Sequence, residues 1–309
     1  MQIINLKTGE PFPLLDCGLC LGNFDGVHLG HKALVKELIR LNSLRRDRLP
    51  LGALLFSKPP SAYLRGSAVP QLTTFEDKLR LLQREGLQFA VIVDFPELMN
   101  LSPDDFVREI LINQCRCRIA VCGFNYSYGA KGAGTPEDLQ RTFGSQPDRT
   151  VGIVPPVTDG KSTVSSTSVR ELLAAGHPED ATRMLGYPFT LTGKVGKGRQ
   201  VGKVMGYPTA NLTFPEGLLV PAHGVYLTSV KIGRRSFFGI SNVGVRPTFE
   251  DDSETVNCET FLFDFNGDLY GKTMQVSFLR FLRTERRFAD PTALSEQIKK
   301  DIERAKSYL

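Results

Sequence analysis

Two histidines spaced three residues apart are the strongest chemical signal in this chain. His28 and His31 lie in the segment Asn23-Phe24-Asp25-Gly26-Val27-His28-Leu29-Gly30-His31, between an apolar run and a stretch with helically spaced leucines. Backbone N–H groups at a helix start attract phosphate, and glycine lets the main chain approach it closely. Two imidazoles at this spacing can stabilise the charge that develops in phosphoryl or nucleotidyl transfer. The segment therefore predicts a phosphate-handling loop that needs no covalent intermediate.

Two further polar segments are candidates for the same chemistry. Gly123-Phe124-Asn125 follows an apolar run, and Ser165-Ser166-Thr167-Ser168-Val169-Arg170 opens a stretch with helical spacing. Hydroxyl groups at a helix start can do no more than cap the helix. Together with an arginine they can also hold phosphate oxygens. From the residues alone both interpretations remain open.

A glycine-rich stretch marks a second candidate site in the last third of the chain. Residues 193–202 are followed by Gly206-Tyr207-Pro208-Thr209-Ala210-Asn211. Glycine at this density indicates either a flexible turn or a backbone cradle for phosphate. A Walker A loop is excluded, because Gly160-Lys161-Ser162 and Gly271-Lys272-Thr273 lack a glycine five residues earlier.

The pattern of apolar runs predicts two domains, residues 1–186 and 187–309. In the first, strand-like runs alternate with helical stretches, which predicts a doubly wound α/β domain with a parallel sheet. In the second, short apolar segments separated by glycine and charged turns predict a small antiparallel β-barrel with a terminal helix. The predicted strands are residues 19–24, 51–56, 89–93, 119–122 and 151–154 in the first domain and 191–195, 225–232, 237–243, 256–265 and 274–282 in the second. The predicted helices are residues 74–85, 102–114, 165–176, 178–185 and 292–308, with one more from about residue 32.

Composition favours a protein that handles small phosphate-bearing molecules. The net charge is +5, and the basic residues are dispersed, so no nucleic-acid partner is expected. No apolar run approaches the roughly 18 residues of a membrane span, and no secretory leader is recognisable. We therefore expect a cytoplasmic protein without a membrane partner. Its six cysteines are expected to be buried or incidental free thiols.

These motifs, in this order, resemble those of the bacterial family of bifunctional riboflavin kinases and FMN adenylyltransferases, also called FAD synthetases. Residues 22–31 and 123–134 resemble the two first motifs of the adenylyltransferase. Residues 165–170 are similar to its Ser-Ser-Thr-x-x-Arg motif, and residues 206–211 resemble the Pro-Thr-Ala-Asn motif of riboflavin kinases. The resemblance implies an N-terminal domain of the nucleotidylyltransferase type.

For the N-terminal domain, the resemblance implies transfer of AMP from ATP to the phosphate of FMN, with release of pyrophosphate. His28 and His31 would stabilise the developing charge. The other residues implied to bind ATP and its phosphates are Gly22, Asn23, Phe24, Asp25, Gly30, Gly123, Asn125, Ser165, Thr167 and Arg170.

For the C-terminal domain, the resemblance implies transfer of the γ-phosphate of ATP to the 5′-hydroxyl of riboflavin. Glu259 would be the general base, and Thr209 with Asn211 would bind Mg²⁺ at the ATP phosphates. The implied substrates are riboflavin, FMN and ATP, the products are FMN and FAD, and flavin-accepting apoproteins would be downstream partners. The remaining residues implied to bind ATP or flavin are Gly198, Gly206, Pro208 and Arg283.

One stretch departs from the family pattern. Many relatives have a Phe-Asp-Pro-x-Pro sequence after the second strand, where this chain has Phe56-Ser57-Lys58-Pro59-Pro60. A riboflavin kinase with a degenerate adenylyltransferase domain would fit this change and is the main alternative. An adenylyltransferase for pantetheine phosphate or nicotinate mononucleotide would leave the barrel motif unexplained. A non-catalytic flavin sensor would not need Glu259.

Overall fold

The computed structural model describes residues 1–6, 16–64, 69–196, 207–246, 255–286 and 288–309. By the spacing of Cα atoms the chain divides into two compact units, Met1–Ser165 and Ser166–Leu309. The helices that follow Ser165 fall in the second unit by this criterion. The domain boundary after residue 186 stays a prediction.

The first unit contains a six-stranded parallel sheet with the order β1-β4-β3-β2-β5-β6. This confirms the predicted α/β architecture. The prediction missed β1, because a four-residue edge strand with one buried side chain gives little apolar signal. The strands are β1 (Gln2–Asn5), β2 (Cys17–Leu21), β3 (Leu51–Phe56), β4 (Phe89–Val93), β5 (Cys117–Gly123) and β6 (Thr150–Val154).

Helices cover both faces of this sheet. One hydrophobic cluster joins the sheet to α1 and α3, and another joins its opposite face to the helical segment before β5 and to α6. Strands covered on both faces read as continuous apolar runs, which is why β3 and β4 match their predicted bounds. The helices are α1 (Leu29–Ser43), α2 (Pro60–Leu64), α3 (Phe75–Arg84), α4 (Phe95–Leu98), α5 (Pro103–Asp105) with its π-helical continuation (Phe106–Gln114), and α6 (Pro136–Thr142).

The second unit begins with α7 (Ser166–Ala174) and α8 (Pro178–Leu185) and continues as an antiparallel sheet with the order β7-β12-β9-β10-β11-β8. The backbone N–H of Gly196 donates to the carbonyl of Asn211 at 2.9 Å, so the two edge strands also meet and the sheet closes as a barrel. The predicted barrel is thus confirmed. The strands are β7 (Thr190–Lys194), β8 (Thr209–Thr213), β9 (Gly224–Ile232), β10 (Arg235–Arg246), β11 (Thr255–Leu262) and β12 (Thr273–Thr284).

The terminal helix α9 (Pro291–Lys306) packs on the outer face of this barrel. Its Ala305 joins an apolar cluster with Val225 and Leu227 of β9. Side chains alternate along a strand, so the neighbours Tyr226 and Thr228 point to the interior, where both are fully buried. The face that carries Val225 is therefore the outer face.

Candidate active sites

The loop between β2 and α1 has an unusual backbone that places His28 at the helix start. Phe24 has φ 52° and Val27 has φ 37°, in the left-handed region that non-glycine residues rarely adopt. Both side chains are fully buried, which holds them in this conformation. Strained backbone of this kind clusters at functional sites. The strand predicted to run to residue 24 ends at Leu21, because the chain turns here.

The two histidines form a stacked pair. Their ring centroids lie 3.7 Å apart with an interplanar angle of 18°. His28 Nδ1 accepts a hydrogen bond from the backbone N–H of His31 at 3.4 Å, which places the proton of a neutral His28 on Nε2. Nδ1 of His31 is buried and has no hydrogen-bond partner within the described parts of the chain. The pair thus offers a donor on His28 and an unused ring nitrogen on His31.

His31 is held in its neutral form. Burial lowers its pKa well below the ordinary value of 6.5, and the neighbouring charges of His28 and Lys78 lower that pKa further. A neutral imidazole can donate through one nitrogen and accept through the other. A neutral imidazole can therefore exchange hydrogen bonds with the oxygens of a bound anion.

Gly30 is required by the position of the His28 ring. A Cβ atom at Gly30 would lie 3.0 Å from Cε1 and 3.1 Å from Nδ1 of His28. Contacts of this length force the neighbouring group to shift. Gly22, by contrast, faces the Phe24 ring at an ordinary 3.4 Å. Gly30 therefore serves the imidazole directly.

Two hydrogen bonds hold the histidine loop, one from Leu72 just before α3 and one from Lys78 within α3. The amide N–H of Leu72 donates to Oδ1 of the buried Asp25 at 2.8 Å, and Lys78 Nζ donates to the carbonyl of Asn23 at 3.0 Å. Sequence reasoning missed Lys78. Its position four residues before the buried Leu82 is the signal that could have found it, because residues i and i+4 share a helix face.

The segment after β5 lies at the same edge of the sheet as the histidine loop, because β5 and β2 are parallel neighbours. Asn125 is exposed there, and its Oδ1 lies 3.4 Å from where a Cβ on Gly123 would be. Tyr126 and Tyr128 stack on each other, and burial raises the pKa of Tyr128 to about 12. The tyrosine pair thus has a packing role.

The hydroxyl-rich motif straddles the start of α7. The carbonyl oxygen of Val164, the residue before Ser165, lies 3.9 Å from where a Cβ on Gly30 would be. Ser165 therefore follows a segment that touches the histidine helix. Thr167 is exposed on α7, and Arg170 is half-buried on the same helix.

In the barrel, Asn211, Glu259 and Asn242 form one row across three strands. Asn211 of β8 is the register partner of Glu259 of β11, which is in turn the partner of Asn242 of β10. Paired residues of antiparallel strands lie on the same face, and Asn242 pairs with Val225, so the row lies on the outer face. Sequence reasoning missed Asn242, whose amide donates to Oε1 of Glu285 at 2.9 Å.

The Asn211 side chain is 7% exposed, yet its Oδ1 has no hydrogen-bond partner among the described residues. Thr209 lies two residues earlier on the same strand and therefore on the same face. An amide oxygen and a hydroxyl are ligands that Mg²⁺ accepts. The donor set thus fits an oxygen-seeking cation, and Glu259 lies half-buried beside it.

The remaining predicted kinase residues have different surroundings. Pro208 is exposed next to Thr209. Arg283 forms a bidentate ion pair with Asp301 of α9, with N···O distances of 2.8 to 3.1 Å. This pair links β12 to the terminal helix. Gly198 and Gly206 lie outside the described residues.

The described residues lack two features that would indicate other classes of protein. They contain no group of three or more His, Cys, Asp or Glu side chains that could hold a metal ion. They also contain no helix that is long and apolar enough to span a membrane. All six cysteines are free and buried.

Comparison with known proteins assigns each part of the chain to a family. The FAD synthetase family model matches residues 14–168, and the riboflavin kinase family model matches residues 185–309. A curated relative from Listeria monocytogenes, a bifunctional riboflavin kinase/FMN adenylyltransferase, is 32% identical, covering 94% of this chain and 91% of its own length. A relative of the same description from Escherichia coli K12 is also 32% identical, with the same coverage.

Similarity to a solved structure extends over nearly the whole chain. A crystal structure described as a macrolide-efflux protein from Streptococcus pneumoniae is 32% identical, with a TM-score of 0.89 and 99% of both chains covered. Its description differs from those of the curated relatives. The two family models agree with the curated relatives and decide the family.

Proposed function

The chain belongs to the bifunctional riboflavin kinase/FMN adenylyltransferase family, and we propose that it phosphorylates riboflavin to FMN and adenylylates FMN to FAD, using ATP in both steps. The observation that carries this proposal is the match of both family models within one chain. A kinase with a degenerate first domain is not favoured, because the FAD synthetase model matches and the histidine pair is formed.

The adenylyl transfer would occur at the histidine loop, in a domain that we place at residues 1–186. An oxygen of the FMN phosphate attacks the α-phosphorus of ATP, and the bond to pyrophosphate breaks. His28, with its proton on Nε2, donates to a phosphate oxygen as charge develops, and the first turn of α1 adds backbone N–H groups. Gly22, Asn23, Phe24 and Asp25 shape the loop. Asn125 and Ser165 of the same unit would add phosphate contacts, and the predicted roles of Thr167 and Arg170 in ATP binding stay predictions.

The phosphoryl transfer would occur on the outer face of the barrel, in a domain that we place at residues 187–309. Glu259 accepts the proton of the riboflavin 5′-hydroxyl, whose oxygen attacks the γ-phosphorus of ATP and displaces ADP. Thr209 and Asn211 would hold Mg²⁺, and the unpartnered Oδ1 of the buried Asn211 supports this assignment. When bound, the cation would neutralise charge on the ATP phosphates.

The chemistry of the proposed reactions indicates the compartment and the partners of the protein. We place the protein in the cytoplasm, where ATP is available and where flavin-accepting apoproteins would take up FMN and FAD. The substrates are small molecules, and the modest net charge of +5 gives no basic track for nucleic acid.

The test is to incubate the purified chain with ATP, MgCl₂ and either riboflavin or FMN, and to separate the flavins by chromatography. FAD from both substrates supports the two activities. FMN from riboflavin, with no FAD from either substrate, would leave only the kinase. Flavin binding without any product would instead favour a non-catalytic flavin sensor. Chelation of the Mg²⁺ in a parallel reaction tests the cation.

A further inference from the structure

Lys78 is a buried cation that no motif of the chain explains. Its side chain is 7% exposed and lies on the face of α3 that also carries the fully buried Leu82. Removing an ammonium group from water is costly unless nearby groups compensate for it. Burial accordingly lowers the pKa of Lys78, and the charge of Asp25 acts in the opposite direction. The compensation comes from the loop that carries the candidate histidines.

The contacts of Lys78 and its neighbours converge on this loop. Lys78 donates to the carbonyl of Asn23, directly before the left-handed Phe24. The chain just before α3 adds two contacts, from Leu72 N–H to Asp25 Oδ1 at 2.8 Å and from Gly26 N–H to Thr73 Oγ1 at 3.4 Å. The strained turn is therefore held from one side by a single short segment of the chain.

We propose that Lys78 is a positioning residue for adenylyl transfer: its ammonium group fixes the turn that delivers His28 to the start of α1. The activity part of this inference rests on the proposed function of the first domain. The placement of the histidine loop by Lys78 does not.

The charges around His31 provide a measurement of this position that does not depend on activity. His28 is stacked on its ring, and the charge of Lys78 in α3 disfavours a second cation there. Lys32, the next residue of α1, pairs with Glu85 at 3.5 Å, so that its charge is already offset. Asp25 in the loop is the buried carboxylate nearest in sequence, and it attracts Lys78 itself. Removing the Lys78 charge should thus make protonation of His31 easier.

Histidine titration by NMR tests this part directly. The chain has four histidines, so an imidazole spectrum is simple, and His177 and His223 serve as internal references. In Lys78→Met we expect the pKa of His31 to rise, because a like charge has been removed and the turn that keeps the ring buried has lost a contact. Lys78→Arg keeps the charge and should keep His31 neutral. Unchanged titration of His31 in folded Lys78→Met would overturn the inference that Lys78 holds the histidine loop in place.

The positioning role is tested by comparing the two activities of the same chain. FAD formation from FMN should fall about 100-fold in kcat in Lys78→Met, as a small displacement of reacting groups can cost this much. Lys78→Arg should recover most of this loss, and riboflavin phosphorylation should be unchanged in both. Lys36→Met, on the exposed face of α1, is the matched control. Wild-type FAD formation in Lys78→Met would overturn the positioning role.

A third variant covers the case in which Lys78→Met fails to fold. Lys78→Gln keeps an N–H donor for the Asn23 carbonyl but removes the charge, so it should retain more FAD formation than Lys78→Met while His31 still titrates at higher pH. Equal titration of His31 in Lys78→Gln and wild type would contradict the inference. If even the wild type forms no FAD, the proposed function fails, and the His31 titration still decides the role of Lys78.

Discussion

Replacing Gly30 by alanine is the sharpest test of the histidine loop. The new Cβ would lie 3.0 and 3.1 Å from two atoms of the His28 ring, where ordinary contacts begin at 3.4 Å. The ring, rather than the helix backbone, would have to move by a few tenths of an ångström. Because His28 Nδ1 also accepts from the backbone N–H of His31, the movement would disturb the start of α1 as well.

The expected effect on activity is larger than the effect on stability. Overpacking costs about 1–3 kcal/mol, whereas alanine is favoured over glycine inside a helix by about 1 kcal/mol. The free energy of unfolding should therefore fall by no more than about 2 kcal/mol. A displacement of about 1 Å can reduce a rate about 100-fold, so a shift of a few tenths of an ångström should reduce kcat for FAD formation about tenfold.

The assay is a double-mutant cycle on FAD formation from FMN. Gly30→Ala is measured alone and in a His28→Ala background, with riboflavin phosphorylation by the same samples as the folding control. If the glycine serves the imidazole, the substitution has no further effect once the ring is absent. Wild-type FAD formation in Gly30→Ala, or the same tenfold loss in the His28→Ala background, would refute the reasoning.

Three further predictions use the two activities or the buried thiols. His28→Ala combined with His31→Ala should stop FAD formation while FMN still accumulates from riboflavin; unchanged FAD output would discard the role of the pair. Glu259→Ala should reduce riboflavin phosphorylation about 10²- to 10⁴-fold and leave FMN-to-FAD conversion intact, with the exposed Glu216→Ala as control. Burial raises the pKa of Cys258 from 9.0 to about 11, so the unfolded chain loses this proton first and the free energy of unfolding should fall as pH rises through 9. Urea unfolding between about pH 8 and 10 checks this, and Cys258→Ala should reduce the slope.

Two strands that are buried along their length and one amphipathic helix could be predicted from the sequence to the residue. β3, β4 and α8 have their predicted bounds, because continuous apolar runs or a proline at the helix start mark them clearly. β2 shows where this signal fails. Phe24 is as buried as a strand residue, but it belongs to a left-handed turn, and burial alone does not distinguish the two.

Of the residues in the candidate sites, only those that belong to contiguous sequence motifs could be predicted. His28, His31 and Gly30 belong to one local segment, and Thr209 and Asn211 to one strand. Lys78 and Asn242 reach these segments from distant parts of the chain. The spacing of Lys78 and Leu82 marks Lys78 as a residue on a buried helix face, but no local motif says which segment either residue meets. Their roles depend on the helix face and the strand register, which only the fold determines.

The altered stretch after β3 is another case in which only the fold reveals a polar group that comes from a distant part of the chain. Its missing carboxylate suggested a degenerate adenylyltransferase, yet β3 and β4 are parallel neighbours and end at the same edge of the sheet. Ser57 Oγ, directly after β3, donates there to Oδ1 of Asp94, directly after β4. A carboxylate is thus present beside the altered stretch, supplied from 37 residues further along the chain. The loss of an aspartate from the motif is therefore no argument that this edge of the sheet lacks an acidic group.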